Sequence, residues 1–337
     1  MENIFNKQKL EQLNSLISSA NSVAVISHAN PDGDAVGSSL AWSRFLSSAY
    51  PTKKVLAIVP NHYPAFLNWV DPMGEVAVFA DTCDSSSEFL ANADLIFIID
   101  FNQTARLEKM SDAMQRNTIA KRVLIDHHIA PPQYELSFWA TESCSTAFIV
   151  YNMIVKMVGT EALTKSIAEA LYLGIMTDTG CFSYSHLTPE LFRAVAVLVE
   201  SGADPVFINR QVFNTQSQDR ARLVGYLLSE KMNVISAKGA AYITLTSEEK
   251  LRFNHQIGDT EGVVNMPMTI NGVCFSAMLI QTKDCIKLSL RSQGDLDVNI
   301  IAGQYFNGGG HRNAAGGKFF GTMEQAVAQI EKVIEQL

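Results

Sequence analysis

The chain has 337 residues, 47% of them hydrophobic and 18% charged, a length that allows two ordinary domains and a composition that excludes a disordered chain. The net charge of −8, with no Lys/Arg run longer than two residues, argues against a partner of long nucleic acid, whose many phosphates call for a basic face. Five scattered cysteines without a Cys-x-x-Cys spacing argue against a disulfide framework and thiolate zinc, and point to a reducing cytoplasm.

In chain order, a helix is predicted over 7–20, a strand over 22–27 and a helix over 34–49. Strands follow at 54–59, near 76–79, at 95–99 and at 122–125; short Val/Ile-rich runs suit strands buried on both faces of a parallel sheet. Helices are expected from about Thr141 to Val158 and from about Leu163 to Met176. The stretch from Pro189 to Lys231 is helical, broken at Gly202-Ala203-Asp204-Pro205, and reads as a connector. Beyond Asn233 the pattern turns to strands at Ala240–Leu245, Val273–Gln281 and Ile286–Arg291. A helix over Val298–Phe306, a glycine-rich loop, a strand at 318–320 and a closing helix from Thr322 complete it. The domains are expected at 1–188 and 232–337, around a connector at 189–231. No run of uncharged apolar residues reaches the roughly 18 that a membrane span needs, and the N-terminus lacks the apolar core of a secretory signal.

Four segments release His or Asp where buried elements end: His28 with Asp32 and Asp34, Asp100, Asp126-His127-His128, and Asp178. Ligands bind beyond the carboxyl ends of strands in open α/β sheets. Five carboxylates and three imidazoles suit two divalent cations. Each piece alone reads as a turn, a cap or an exposed pair: Asp and Gly after a strand suit a turn and helix cap, and Asp100 alone at a strand end suits a cap more than a ligand. Their agreement in one domain points to a two-metal phosphoesterase. Gly37, without a side chain, is expected to let helix backbone approach the site. Trp42, Trp69 and Trp139 read as packing residues; Tyr184, near Asp178, stands where an aromatic more often packs than stacks on a base.

The segments His28-Ala-Asn-Pro-Asp32-Gly-Asp34, Asp100, Asp126-His127-His128 and Asp178-Thr-Gly resemble the motifs of the DHH phosphoesterases. Gly308-Gly-Gly-His311-Arg-Asn-Ala-Ala-Gly316 resembles the signature of the associated DHHA1 domain. The resemblance implies an α/β protein: a parallel-sheet N-terminal DHH domain and a smaller α/β C-terminal DHHA1 domain, with the active site in the cleft between them. Length and layout resemble the subfamily of oligoribonucleases and 3′-phosphoadenosine 5′-phosphate (pAp) phosphatases. It implies that His28, Asp32 and Asp100 hold one metal, and Asp34, Asp100, His127 and Asp178 the other. Asp126 would then support a ligand, His128 would face the substrate phosphate, and Asp100, Asp126 and His128 form the catalytic set. Arg291, Gly309, Gly310 and His311 would contact substrate, the glycine loop offering a nest of backbone N–H groups.

The expected cofactor is a pair of divalent ions, Mn²⁺ ahead of Mg²⁺ or Co²⁺, because imidazoles join the carboxylates. The expected reaction is attack by a dimetal-bridging hydroxide on phosphorus, on short oligoribonucleotides (nanoRNA) or on pAp. The rival substrates are cyclic or linear dinucleotides such as c-di-AMP and pApA; a non-catalytic nucleotide sensor ranks lower. The expected partners are small nucleotides and a second copy in a homodimer, without membrane.

Overall fold

The computed structural model describes residues 2–129, 134–184 and 186–337, and the chain divides into two compact units, Met1–Thr215 and Gln216–Leu337. Among the described residues, no helix is long and apolar enough to cross a membrane. The five cysteines are all free.

The N-terminal unit carries one sheet of six strands: β1 Ser22–Ile26, β2 Lys54–Val59, β3 Val76–Val78, β4 Leu95–Ile99, β5 Lys121–Asp126 and β6 Leu136–Trp139. Every pairing is parallel and the order is β3-β2-β1-β4-β5-β6. The direction of winding therefore reverses between β1 and β4, the place where α/β sheets leave a crevice at their carboxyl edge.

Alternate residues of each strand feed two cores, as the two-residue period of a strand requires. Val23, Val25, Leu95, Phe97 and Ile99 face one side. They pack there with helices α1 (Lys7–Ser19), α2 (Gly33–Ala49), α5 (Thr146–Val158) and α6 (Lys165–Asp178). Ala24, Ile26, Ile96 and Ile98 face the other, against α3 (Cys83–Asn92) and α4 (Met110–Arg116). The helices read as a connector divide between the units. α7 (Pro189–Glu200) and α8 (Pro205–Phe213) lie in the first, with Phe207 edge-on to Trp69 at 5.4 Å; α9 (Gln218–Tyr226) lies in the second.

The C-terminal unit holds a mixed sheet ordered β11-β12-β10-β9-β8-β7. Its strands are β7 Met232–Ile235, β8 Ala240–Leu245, β9 Phe275–Gln281, β10 Ile286–Ser292, β11 Gly309–His311 and β12 Ala314–Phe319. Only β8 and β9 pair in parallel. Helices α11 (Val298–Tyr305) and α12 (Met323–Glu335) cover one face, while Leu223 of α9 with Val263 and Val264 covers the other. The short helix α10 (Ser247–Arg252) starts on a capping box made by Thr246 and Glu249.

Three expectations change in detail. The strand expected at 318–320 begins at Ala314, because the glycine-rich segment is a β-hairpin. A side chain at Gly308 would put its Cβ 1.9 Å from the Gly316 carbonyl oxygen, so small residues serve strand contact there. The helix expected from Thr141 begins at Thr146, capped by the Ser145 hydroxyl, which accepts from the Phe148 N–H. Gly37 meets the neighbouring helix, not the ligand cluster: a Cβ there would lie 2.4 Å from the Ala170 carbonyl oxygen of α6.

Candidate metal centre

The loops beyond β1 and β4, the first turn of α2, the end of β5 with the residues after it, and the last residue of α6 bring the acidic and imidazole groups of the four segments together. His28, Asp34, Asp100, Asp126 and His127 are all buried. Asp32 caps α2, its Oδ1 accepting from the N–H groups of Asp34 and Ala35 at 3.1 and 3.0 Å. The cap and the site coexist: His28, Asp32 and Asp100 offer ligand atoms all within 4.8 Å of one another. Asp34, Asp100 and His127 form a second such group, and Asp100 belongs to both. His127 Nε2 lies 3.3 Å from Asp178 Oδ2, which places Asp178 beside the second group.

Asp100 carries unusual backbone as well as position. Its φ of 65° is left-handed, a conformation that costs a non-glycine residue energy and persists where surroundings enforce it. Its N–H donates to the Ile125 carbonyl of β5, and its Oδ1 accepts the Thr146 hydroxyl at 2.7 Å. Both oxygens of Asp34 accept backbone N–H groups at the start of α5, from Thr146 at 2.7 Å and Ala147 at 2.8 Å. A helix N-terminus favours such anions. Asp178 ends α6, where the helix dipole disfavours a carboxylate and a nearby cation would offset the cost.

The imidazoles fall into two kinds. His28 Nδ1 bonds the Ala29 carbonyl and His127 Nδ1 the Ser143 carbonyl, leaving each Nε2 turned to carboxylates. Metal-binding histidines are typically held this way. His128 has both nitrogens engaged, Nδ1 with Asp126 Oδ1 at 2.8 Å and Nε2 with Arg106 Nη1 at 3.0 Å. Asp100, Asp126 and His128 also lie within ligand distance of one another, yet these hydrogen bonds make them a poorer cation group.

The charges explain what the cluster requires. Burial, then the charges of Asp100, Asp178 and Asp32, push the Asp34 carboxyl well above the usual range. Burial opposes charge on Asp100 too, but the hydrogen bond from His28 and the charges of His28 and His127 hold its carboxyl well below that range. Burial works against a charged His127, and Asp178, Asp100 and Asp126 overcome it, raising its pKa. Carboxylates crowded until one resists ionisation, with imidazole nitrogens turned toward them, form a donor set that fits divalent cations.

Sequence reasoning missed four contributors. Asn102 donates to Asp126 Oδ2 at 2.7 Å, and Arg106 holds His128. Thr146 and Ala147 reach Asp34 from 112 and 113 residues away through backbone N–H groups, which carry no sequence signature. Trp139, expected only to pack, donates its Nε1–H to the His128 carbonyl at 2.8 Å. Tyr184 is half exposed, and not a core residue.

In the second unit, Arg291 and His311 both stand opposite Ala314, on strands β10 and β11 flanking β12. That register puts them on one face of the sheet with a single alanine between them. Gly309 and Gly310 are strand residues, and the Gly310 N–H is taken by Asn299 Oδ1 at 2.8 Å.

The fold and cluster define an α/β protein with a candidate divalent-cation centre at the switch point of its parallel sheet. Residues 22–175 match the DHH family, N-terminal domain, and residues 239–337 match the DHHA1 domain. The Bacillus subtilis bifunctional oligoribonuclease and PAP phosphatase NrnA is 25% identical over 315 residues, 92% of this chain and 93% of its own. The NrnA protein of Thermus thermophilus, with the same description, is 28% identical over 319 residues, 94% of this chain and 90% of its own. The crystal structure of an exopolyphosphatase-related protein from Bacteroides fragilis superposes with a TM-score of 0.91 at 38% identity, covering 98% of this chain and 96% of that one. This chain belongs to the DHH family and carries a DHHA1 domain.

Proposed function

We propose that this protein is a metal-dependent phosphoesterase that hydrolyses short oligoribonucleotides to mononucleotides and pAp to AMP. The observation that carries the reading is the pair of ligand groups sharing Asp100: His28, Asp32 and Asp100 on one side, Asp34, Asp100 and His127 with Asp178 on the other. The substrate class is supported by the two NrnA relatives, which align over nine-tenths or more of both chains.

His28, Asp32 and Asp100 would hold one cation, and Asp34, Asp100, His127 and Asp178 the other. Mn²⁺ is preferred because imidazoles join the carboxylates. When bound, the ions would lower the pKa of a coordinated water and offset charge on the phosphoryl oxygens. Asp126, itself held by Asn102, fixes the orientation of His128. Arg291, Gly309, Gly310 and His311 would contact substrate and select for short molecules. The acidic chain, net −8, supports small nucleotides over long strands, and its free cysteines support a cytoplasmic setting.

The test compares turnover of a diribonucleotide, pAp, linear diadenylate and a long RNA strand with Mn²⁺, beside Asp100→Ala. Turnover of the diribonucleotide and pAp, absent for the long strand and lost in the variant, is expected. Equal rates on the long strand would overturn the substrate class; no metal-dependent turnover of any substrate would overturn the enzyme.

A further inference from the structure

Arg106 lies on the short turn Thr104–Leu107 that follows Asp100. Its carbonyl accepts the Ala29 N–H at 2.8 Å, so the turn is tied to the loop beyond β1 on which His28 sits. The side chain is half buried. Its Nη1 donates to His128 Nε2 at 3.0 Å and, more weakly, to the Asp100 carbonyl at 3.4 Å.

A guanidinium only donates, so His128 Nε2 must accept, and the imidazole proton sits on Nδ1 and goes to Asp126. Asp126 Oδ2 accepts in turn from Asn102. The chain of contacts holds Arg106 by neutral acceptors. Among the described residues, Arg106 forms no ion pair, and its Nε and Nη2 groups donate no hydrogen bond. A fixed, charged fork beside a cation centre, with one edge uncommitted, matches the geometry of two phosphate oxygens.

We propose that Arg106 is a phosphate-binding residue of this site, its Nε and Nη2 edge taking two oxygens of a phosphate mono- or diester. The proposal rests on the phosphoesterase reading for its substrate, yet it concerns anion binding and is testable apart from turnover. His128 acts here as the seat of the guanidinium, so Arg106 is placed to touch the substrate and His128 and Asp126 to position it.

The experiment uses the full chain with Arg106→Ala and Arg106→Lys, each checked by circular dichroism for wild-type folding. Calorimetry measures Mn²⁺ binding, then AMP binding with Mn²⁺ present. Arg106→Ala is expected to bind Mn²⁺ as the wild type does and AMP about 10- to 100-fold more weakly, the scale of a lost charge-assisted contact. Arg106→Lys should recover part of that loss, since the charge remains but the fork is gone. Added guanidinium ion, but not urea, should restore diribonucleotide turnover to Arg106→Ala. Unchanged AMP binding in Arg106→Ala would overturn the proposal, as would parallel loss of Mn²⁺ and AMP binding, which marks a structural role through His128. If the wild type turns over no phosphoester yet binds AMP through Arg106, the enzyme reading fails and the anion site stands.

Discussion

Thr146 holds two carboxylates of the centre at once: its hydroxyl donates to Asp100 and its backbone N–H to Asp34, both at 2.7 Å. The first turn of α5 thus fixes the separation of the acid shared by both ligand groups and the acid of the second group. Thr146→Val keeps the backbone bond and shape and removes only the hydroxyl. Loss of a partner supporting a ligand typically costs about 10- to 100-fold in metal affinity or activity, and Mn²⁺ titration should show a loss of that size. Unchanged affinity would mean that the Thr146 hydroxyl does not position Asp100, and that its backbone and His28 suffice.

The crowded carboxylates give a pH dependence whose sign can be worked out. In the metal-free fold Asp34 keeps its proton above its ordinary value of 3.8, so above 3.8 the folded state holds more protons than the unfolded one. Stability then falls as pH rises. His127, with its pKa raised above 6.5, contributes the same sign: its stabilisation is present below 6.5 and is lost as pH climbs through the raised value. Asp100, held low, has the opposite sign, but only below 3.8. Melting in EDTA should therefore show a midpoint that declines from mildly acidic to mildly alkaline pH. Mn²⁺ should reverse the trend, because cations and protons compete for the same groups. A flat profile in EDTA would mean that the cluster is not under electrostatic tension.

How far the sequence revealed this arrangement depends on the kind of signal. Leu95–Ile99 is apolar throughout because both faces of β4 are buried, and such a run is easily seen. Strand β6 was hidden: Leu136–Trp139 is only half buried in alternation, lies at the sheet edge, and is four residues long. Helix α3 was hidden by its three serines, which favour loops as readily as helices. The hairpin at Gly309 was obscured because glycine marks turns more often than it marks strands whose backbones must touch. In the site, charged side chains at strand ends were legible. The N–H groups of Thr146 and Ala147 were not, since their role depends on where α5 starts in space.

The register of β10, β12 and β11 allows the proposed substrate contacts of Arg291 and His311 to be tested apart from the metal centre. Ala314 separates Arg291 from His311 on one sheet face. Neighbouring strands lie about 4.8 Å apart, so the two side chains flank a gap of roughly twice that width. Ala314→Leu should fill the gap. If the two residues bind substrate together, KM for a diribonucleotide should rise about tenfold, the effect of roughly 1.4 kcal/mol, with Mn²⁺ affinity unchanged. A variant with wild-type KM would remove this face from the substrate site.

The crossing of α2 over α6 predicts a sharper effect from a single methyl group. A Cβ on Gly174 would lie 2.6 Å from the Ala147 Cβ and 2.8 Å from Asp34 Oδ1. Both neighbours belong to the metal centre's frame, since the Ala147 N–H donates to that same Asp34 oxygen. Gly174→Ala gains helix propensity of up to about 1 kcal/mol, but overpacking a tight contact costs typically 1–3 kcal/mol. The net expectation is a lower melting temperature together with weaker Mn²⁺ binding, because Asp34 must move. Gly225 in α9 supplies the control: a Cβ there meets nothing within 4 Å. Gly225→Ala should raise stability by up to about 1 kcal/mol and leave Mn²⁺ binding alone. If Gly174→Ala behaved like Gly225→Ala, the close approach of α2 to α6 would not be what positions Asp34.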